Sequence, residues 1–222
     1  MYWSHTMNRI VYPVILGVMV VGLAQGRAAD PPEKENAPKY ASNLVIGYSQ
    51  VSQWYLSFES AVDNDRWELL WHGGAGVDKW SDPKFKGWYK PIQSPCKVRS
   101  GDPDRVVLSI SGSYGEDVDL WTQKTQETIK VIRSKYKNVK QIVLQPVVGG
   151  PGTSRAAQQH PAIVKAIERV VKDDRTGTVS AGPSPQVWSS KDFRDARGHL
   201  TKEAAGRIGK QIGEHYSKLD TK

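Results

Sequence analysis

A serine and a histidine stand at opposite ends of the chain, each at a position where it could do chemistry. Ser49 directly follows a short apolar run, and Asp195 and His199 come just before the last helical pattern. A serine hydroxyl is a weak nucleophile until a base removes its proton, and histidine is suited to that role near neutral pH. A carboxylate fixes the imidazole tautomer and stabilises the imidazolium. These residue types indicate acyl transfer through a covalent intermediate on Ser49.

Each of the three residues also has a purely structural interpretation. Ser49 could be the N-cap of a helix that begins near Gln50. His199 could be an ordinary surface histidine, and Asp195 could form a turn. The order of elements along the chain favours the catalytic interpretation, with Asp192 as the alternative carboxylate.

The elements that must position these residues are short strands alternating with helices. The predicted strands are Asn43 to Gly47, Trp67 to Trp71, Arg105 to Ile110, Val139 to Leu144 and a Pro-interrupted strand within Thr178 to Trp188; the predicted helices are Gln50 to Val62, Leu120 to Tyr136, Gln158 to Val171 and Thr201 to about Tyr216. Val77 to Gly101 is interpreted as irregular. The alternation predicts an α/β fold, a three-layer α/β/α sandwich with a central parallel sheet of flavodoxin-like topology. Ligands bind at the carboxyl ends of such strands.

Two further strand ends carry glycine-rich turns. His72-Gly73-Gly74-Ala75-Gly76 follows the second strand, and Ser111-Gly112-Ser113-Tyr114-Gly115 follows the third. With Ser49 after the first strand and Asp195 to His199 before the last helix, the chain resembles the SGNH (GDSL-type) hydrolase family. The resemblance runs from about Asn43 to Tyr216.

The resemblance implies a role for each matching position. Ser49 stands in Gly47-Tyr48-Ser49 where the family has Gly-Asp-Ser, which makes it the nucleophile, and His199 is the base oriented by Asp195. An oxyanion hole would be formed at Ser49, Gly76 and Gly112, with Gly74 as the alternative to Gly76. The stretch from Gly73 to Pro83 also resembles a glycine-rich segment of divergent members.

Three departures from the family pattern stand in the sequence. Tyr48 replaces the usual acidic residue, and Asp195 and His199 are four apart instead of three. The third block falls on Gly112-Ser113-Tyr114-Gly115 and lacks the oxyanion-hole asparagine. Ser113 and the Tyr114 hydroxyl are the nearest substitutes for its side-chain donor.

Aromatic residues near these turns are candidates for substrate contact. Trp80, Trp88 and Tyr114 are expected to bind substrate, and packing into a small second core is the alternative for them. His72-Gly73-Gly74 also resembles the oxyanion loop of α/β-hydrolases, but that fold requires Gly-x-Ser-x-Gly on a later strand. No such pentapeptide occurs in the sequence.

The N-terminal region has the pattern of an exported protein. Arg9 precedes an apolar run from Ile10 to Leu23, and small residues follow, so residues 1–29 are predicted to be a cleaved signal peptide. The run is shorter than the roughly 20 residues that a membrane-spanning helix needs. The Pro-rich residues 30–42 are predicted to be a linker, and residues 43–222 one SGNH-hydrolase-like domain. With Cys96 as the only cysteine, no intrachain disulfide can form. A periplasmic or secreted location without stable membrane insertion is expected.

The charge and composition of the chain narrow the range of expected binding partners and substrates. The net charge is +8, from 31 Lys and Arg against 23 Asp and Glu. A basic surface could favour polyanions such as acidic glycans, but the Lys and Arg residues are scattered, so most of the charge is interpreted as solvated surface. No nucleic-acid motif, cofactor motif or metal-ligand spacing of histidines is present. The expected function is an exported serine esterase acting on a small-molecule or glycan O-acyl ester. The alternative is a weakly active or inactive protein of the same fold that binds glycan or peptide in the cell envelope. A two-lobed small-molecule carrier is disfavoured, because the chain is short for two lobes.

Overall fold

The computed structural model describes residues 39–98, 101–149, 160–187 and 189–220. The predicted signal peptide and most of the predicted linker lie outside these ranges. No helix within them has both the length and the apolar character needed to cross a membrane.

The described strands form a five-stranded parallel sheet and a separate two-stranded pair. They are β1 (Asn43–Gly47), β2 (Trp67–Trp71), β3 (Arg105–Ile110), β4 (Gln141–Pro146), β5 (Val148–Gly149), β6 (Val179–Ala181) and β7 (Gln186–Val187). The large sheet has the order β2-β1-β3-β4-β6, and β5 pairs in parallel with β7. This order confirms the predicted flavodoxin-like topology.

Apolar residues on both faces of the central strands explain why they are buried in the middle of the molecule. In β1, Leu44 and Ile46 pack into one apolar cluster, while Val45 packs into the cluster on the opposite face. Val45 lies beside Val107 of β3 in the parallel register. Strands covered on both faces are typical of parallel sheets, whose crossover helices lie above and below.

Five helices within the described residues supply those two layers. They are α1 (Ser49–Glu59), α2 (Val77–Trp80), α3 (Val118–Lys135), α4 (Ala162–Asp173) and α5 (Lys202–Asp220). Residues of α1 and α5 belong to one apolar cluster, and residues of α2, α3 and α4 belong to the other. The three-layer α/β/α sandwich is therefore confirmed.

Helices α1 and α5 lie unusually close to each other. A Cβ atom at Gly209 of α5 would collide with the carbonyl oxygen of Trp54 and would lie 2.9 Å from the backbone nitrogen of Phe58. The apolar faces of both helices are fully buried at this contact, including Ile208 and Ile212 of α5. Because a glycine permits this approach, α1 and α5 behave as one packed pair.

Several details differ from the sequence prediction. The stretch predicted to be irregular contains α2 and a 3₁₀ turn at Lys86–Tyr89. The predicted fifth strand is divided into β6 and β7, in two different sheets. Tyr40, at the end of the predicted linker, is buried, and the backbone N–H groups of the next two residues donate to Asp104, so residues 40–42 belong to the fold. The predicted start of α4 at Gln158 lies outside the described residues.

Candidate active site

Ser49 is the first residue of α1 and is separated from β1 by Tyr48 alone. Tyr48, in an extended conformation, occupies the N-cap position and makes no side-chain cap hydrogen bond. The interpretation of Ser49 as an N-cap is therefore wrong. The partly exposed Ser49 lies at the carboxyl edge of the sheet, in the first turn of α1.

The carboxylate of Asp195 and the imidazole of His199 form a close pair. Asp195 Oδ2 lies 2.7 Å from His199 Nδ1, and its Oδ1 accepts from the backbone N–H groups of Arg197 at 2.9 Å and His199 at 3.3 Å. The hydrogen bond with His199, followed by these backbone donors, lowers the pKa of Asp195 to about 2. An ionised carboxylate at Nδ1 leaves Nε2 of the imidazole available to act as a base.

Residues 193–200 form a closed loop that carries this pair, called the base loop below. Phe193 and Leu200 form an antiparallel bridge, and Arg194 N donates to His199 O at 2.7 Å. The loop leads directly into α5. The spacing of four between Asp195 and His199 is accommodated by this local turn, so it does not separate the two side chains.

The alternative carboxylate, that of Asp192, has other hydrogen-bond partners. Its carboxylate accepts from Arg207 at 3.1 Å and from the backbone N–H of Ser189 at 3.2 Å. These partners fix it beside the 3₁₀ turn at Ser190–Asp192. The described contacts thus favour Asp195 over Asp192 as the partner of His199.

Two glutamines of α1 hold the base loop on both sides of His199. Gln50 Nε2 donates to Gly198 O at 2.6 Å, and Gln53 Oε1 accepts from Leu200 N at 2.8 Å. Gln50 is buried and also accepts a hydrogen bond from the Tyr48 hydroxyl at 2.7 Å. The helix that begins with Ser49 therefore positions the loop that carries His199. We did not predict these glutamines, since glutamine on a helix usually indicates a solvated face.

A cavity of about 240 Å³, called the Ser49 cavity, lies at the junction of these elements. Its lining comes from the three strand ends and the base loop: Tyr48, Ser49, Gln50, Gly74, Gly76, Asp78, Ser111, Gly112, Ser113, Tyr114, Arg197 and Gly198. His199 adjoins the cavity through Gly198. Asp78 and Arg197 are charged residues that the sequence analysis did not single out.

Gly76 is packed tightly against the loop after β3. A Cβ at this position would lie 2.7 Å from the carbonyl oxygen of Ser111 and 3.2 Å from Gly112 Cα. The neighbouring Val77 N donates to Ser111 O at 2.8 Å, which joins the two glycine-rich turns. Glycine is required here for space, since its φ of −76° is accessible to any residue. The backbone of Gly76 and the first turn of α1 thus face one cavity.

The loop after β3 brings no side-chain amide into the cavity. Gly112 packs against the ring of Trp121, which lies 2.9 Å from where its Cβ would be. Tyr114 meets Trp121 edge to face, with ring centroids 4.8 Å apart. The Tyr114 hydroxyl is buried without a described hydrogen-bond partner, and burial raises its pKa to about 12. Ser113 is exposed at the rim.

Trp80 and Trp88 do not reach the Ser49 cavity. Trp80 is fully buried, and Trp88 is 7% exposed; their ring centroids are 4.8 Å apart. The indole N–H of Trp80 donates to Ala75 O at 3.1 Å. The expectation that these two residues bind substrate is wrong, because they pack into the core beneath the turn after β2.

No three His, Cys, Asp or Glu side chains come together as metal ligands within residues 39–98, 101–149, 160–187 and 189–220. The ionisable groups around the Ser49 cavity are thus arranged as a carboxylate–imidazole pair and single charged residues.

Comparison with known proteins identifies solved structures with a similar fold. No family model matches the sequence, and no curated protein matches it. A carbohydrate esterase family 3 structure from Talaromyces cellulolyticus superposes with a TM-score of 0.56 at 13% identity, covering 80% of this chain and 97% of that one. The fold is SGNH-hydrolase-like. A DUF4886 family protein from Bacteroides uniformis ATCC 8492 gives a TM-score of 0.50 at 9% identity, covering 76% of this chain and 80% of that one.

At these identities the likeness concerns the fold. In the SGNH-like arrangement Ser49 follows the first strand, and the base loop precedes the last helix. Both positions agree with the order of motifs on which the sequence resemblance is based.

Proposed function

We propose that this chain is an exported serine esterase, with Ser49 as nucleophile, His199 as base and Asp195 as the carboxylate that orients it. The SGNH-like fold supports an ester hydrolase or acyl-transfer activity in general terms. The specific assignment rests on residues of this chain. Export rests on the sequence of residues 1–29 alone.

One observation carries the proposal. The Asp195–His199 pair, 2.7 Å apart, sits on a loop that α1 holds by two hydrogen bonds, and Ser49 is the first residue of α1. A carboxylate–imidazole pair that only stabilised the fold would not need to be attached to the helix that presents a serine. Ser49 and Gly198 line the same cavity.

In the acylation step, Nε2 of His199 removes the proton of the Ser49 hydroxyl while Oγ attacks the ester carbonyl carbon. The carbonyl electron pair moves to its oxygen, and the resulting oxyanion faces the N–H groups of Ser49 and Gly76. Collapse of this intermediate expels the alcohol oxygen, which takes the proton from the imidazolium. An acyl group then remains on Ser49.

Deacylation repeats these steps with water. His199 removes a proton from the water molecule, the hydroxide adds to the acyl carbon, and Ser49 leaves with the proton that the imidazolium returns. Asp195 stabilises the imidazolium in both halves of the reaction. The products are a carboxylic acid and the free enzyme.

The O-acyl groups of glycans are the proposed substrate class. The Ser49 cavity is small and surrounded by polar residues such as Asp78, Ser113 and Arg197, which suits a short acyl group better than a long alkyl chain. The esterase from Talaromyces cellulolyticus, which shares the fold, is named a carbohydrate esterase.

A glycan- or peptide-binding protein without turnover is the second candidate. It is favoured by the loop after β3, where no amide side chain is present and the hydroxyl of Tyr114 is buried. Removing one oxyanion donor costs about 10²–10³ in turnover in a serine hydrolase. An esterase that relies on backbone donors would be slow by about that factor.

The decisive experiment is labelling of the mature protein with a fluorophosphonate, followed by peptide mass spectrometry. We expect a single adduct on Ser49, hydrolysis of p-nitrophenyl acetate, and loss of both in Ser49→Ala. Ser60→Ala is the matched control, since Ser60 is exposed at the other end of α1 and its hydroxyl donates to Ser57 O. A folded protein with no adduct, or with an adduct elsewhere, would favour the binding protein.

A further inference from the structure

A second concave surface lies directly beside the Ser49 cavity, between β2 and α2. This β2–α2 groove has a volume of about 500 Å³, and the residues used in the argument are His72, Gly74, Lys79, Asp82, Phe85 and Lys86. Gly74 also lines the Ser49 cavity, so the two spaces adjoin at this residue. A molecule whose ester lies at Ser49 can therefore reach the groove with one of its two parts.

One wall of the groove is aromatic, and its side chains pack against the buried core. Phe85 is partly buried, with its ring 5.0 Å from the His72 ring and 5.1 Å from the Trp80 ring. Trp80 is itself packed against Trp88. The buried tryptophans thus fix Phe85 in place, and pockets that orient a ligand commonly combine such aromatic surface with a few charged groups.

The charged groups of the groove favour an anion. Among the described residues, the only carboxylate within salt-bridge range of Lys79 is that of Asp78, at 3.8 Å, and Lys86 has no ion-pair partner. Asp82, the one acidic residue of the groove, uses Oδ1 to accept the backbone N–H of Lys84 at 2.8 Å. Two lysines and one aspartate thus line the groove, and of the two lysines only Lys79 has a carboxylate within salt-bridge range among the described residues.

We propose that the β2–α2 groove binds the alcohol part of the ester, and that this part is an acidic sugar. Phe85 and His72 would contact the sugar ring, while Lys79 and Lys86 would pair with its carboxylate. The inference rests on the proposed ester hydrolysis at Ser49. It adds to that proposal a binding surface for the alcohol part of the ester and a negative charge on the substrate.

A pair of substrates that differ by one carboxylate tests the proposal. Acetylated galacturonate oligomers and acetylated galactose oligomers of the same length share the ester and the ring, so the ratio of their kcat/KM values isolates the carboxylate. We expect the native protein to prefer the acidic substrate, and Lys79→Gln/Lys86→Gln to lower that ratio about tenfold through KM. Raising the NaCl concentration should lower the ratio in the native protein and not in the double variant.

Lys84→Gln is the matched control, because Lys84 is an exposed lysine of the same segment outside the groove. The control should keep the native ratio. An unchanged ratio in the double variant, or an equal loss in Lys84→Gln, would overturn the groove assignment.

Binding to Ser49→Ala separates this inference from the proposed function. Calorimetric titration with unacetylated galacturonate oligomers should show binding that the Lys79→Gln/Lys86→Gln substitutions weaken. If no ester is hydrolysed by the native protein but this binding occurs, the groove stands and the esterase assignment fails. If esters are hydrolysed and neither binding nor a charge preference is found, the groove assignment fails alone.

Discussion

Replacing Gln50 with methionine keeps the volume of the side chain but removes two buried hydrogen bonds. One is the 2.6 Å bond to Gly198 O in the base loop, and the other is the 2.7 Å bond from the Tyr48 hydroxyl. A buried polar group left unpaired costs about 1–3 kcal/mol. For a domain of this size, 2 kcal/mol corresponds to a fall in Tm of about 4–8 °C.

The effect on turnover should exceed this modest effect on stability. Gly198 precedes His199, so a base loop that loses its bond to α1 no longer holds the imidazole at a fixed distance from Ser49. A displacement of about 1 Å in a reacting group can cost about 10²-fold in rate. We expect Gln50→Met to lower kcat by about that factor, with KM changed much less.

The assay is p-nitrophenyl acetate hydrolysis at a temperature at which both proteins are fully folded by circular dichroism. Arg133→Met is the control for stability alone, since it removes an ion pair to Asp174 of 3.0 Å near the opposite edge of the sheet. Its kcat should stay within threefold of the native value. A native kcat in Gln50→Met, or an equal kcat loss in both variants, would refute the positioning role.

The remaining predictions concern the base, the oxyanion donors and the third loop. His199→Ala should abolish turnover, whereas Asp195→Asn should retain more activity, because an orienting group is partly replaceable and the base is not; equal kcat losses would contradict this order. The pKa of Asp195 is lowered to about 2, so its carboxylate stays ionised at any pH well above that value. A plot of log kcat/KM against pH should therefore show a single step on the acid side down to pH 4. A second step in that range would count against an ionised Asp195. Gly76→Ala should lower kcat by about 10²–10³ with the fold retained, because the new Cβ would lie 2.7 Å from a carbonyl oxygen. Gly206→Ala, where the nearest atom to the new Cβ is at 3.8 Å, should be neutral. Equal kcat values in the two variants would argue against a role for Gly76. Tyr114→Phe should keep native turnover and an equal or higher Tm, since the hydroxyl is buried without a described partner, and a hundredfold loss would identify it as an oxyanion donor.

The strands and their order could be predicted because their apolar runs are short, continuous and bounded by turns. Asn43–Gly47, Trp67–Trp71 and Arg105–Ile110 occur with the bounds that the sequence indicates. Helix α2 was missed since Val77–Trp80 is only four residues long and has no measurable periodicity.

The site was harder to predict than the fold, because its supporting contacts join residues far apart in the chain. The pairing of Gln50 with Gly198 spans 148 positions and leaves no local pattern. The burial of Trp80 could not be predicted from the sequence either, since an aromatic residue among Gly, Asp and Lys suits either a binding surface or a core. By contrast, Ser49 and His199 could be proposed as site residues from the sequence because each adjoins the end of a regular element.

The close contact between α1 and α5 has a consequence for how the protein matures. Ser49 is near the start of the domain, and the base loop immediately precedes the last helix, so the two meet only after α5 has docked against α1 at Gly209. A chain still being synthesised or threaded through a membrane lacks that helix. On the proposed mechanism, Ser49 of a nascent chain would have no base until α5 has been synthesised and has docked, so the order of synthesis would delay ester hydrolysis until the domain has folded.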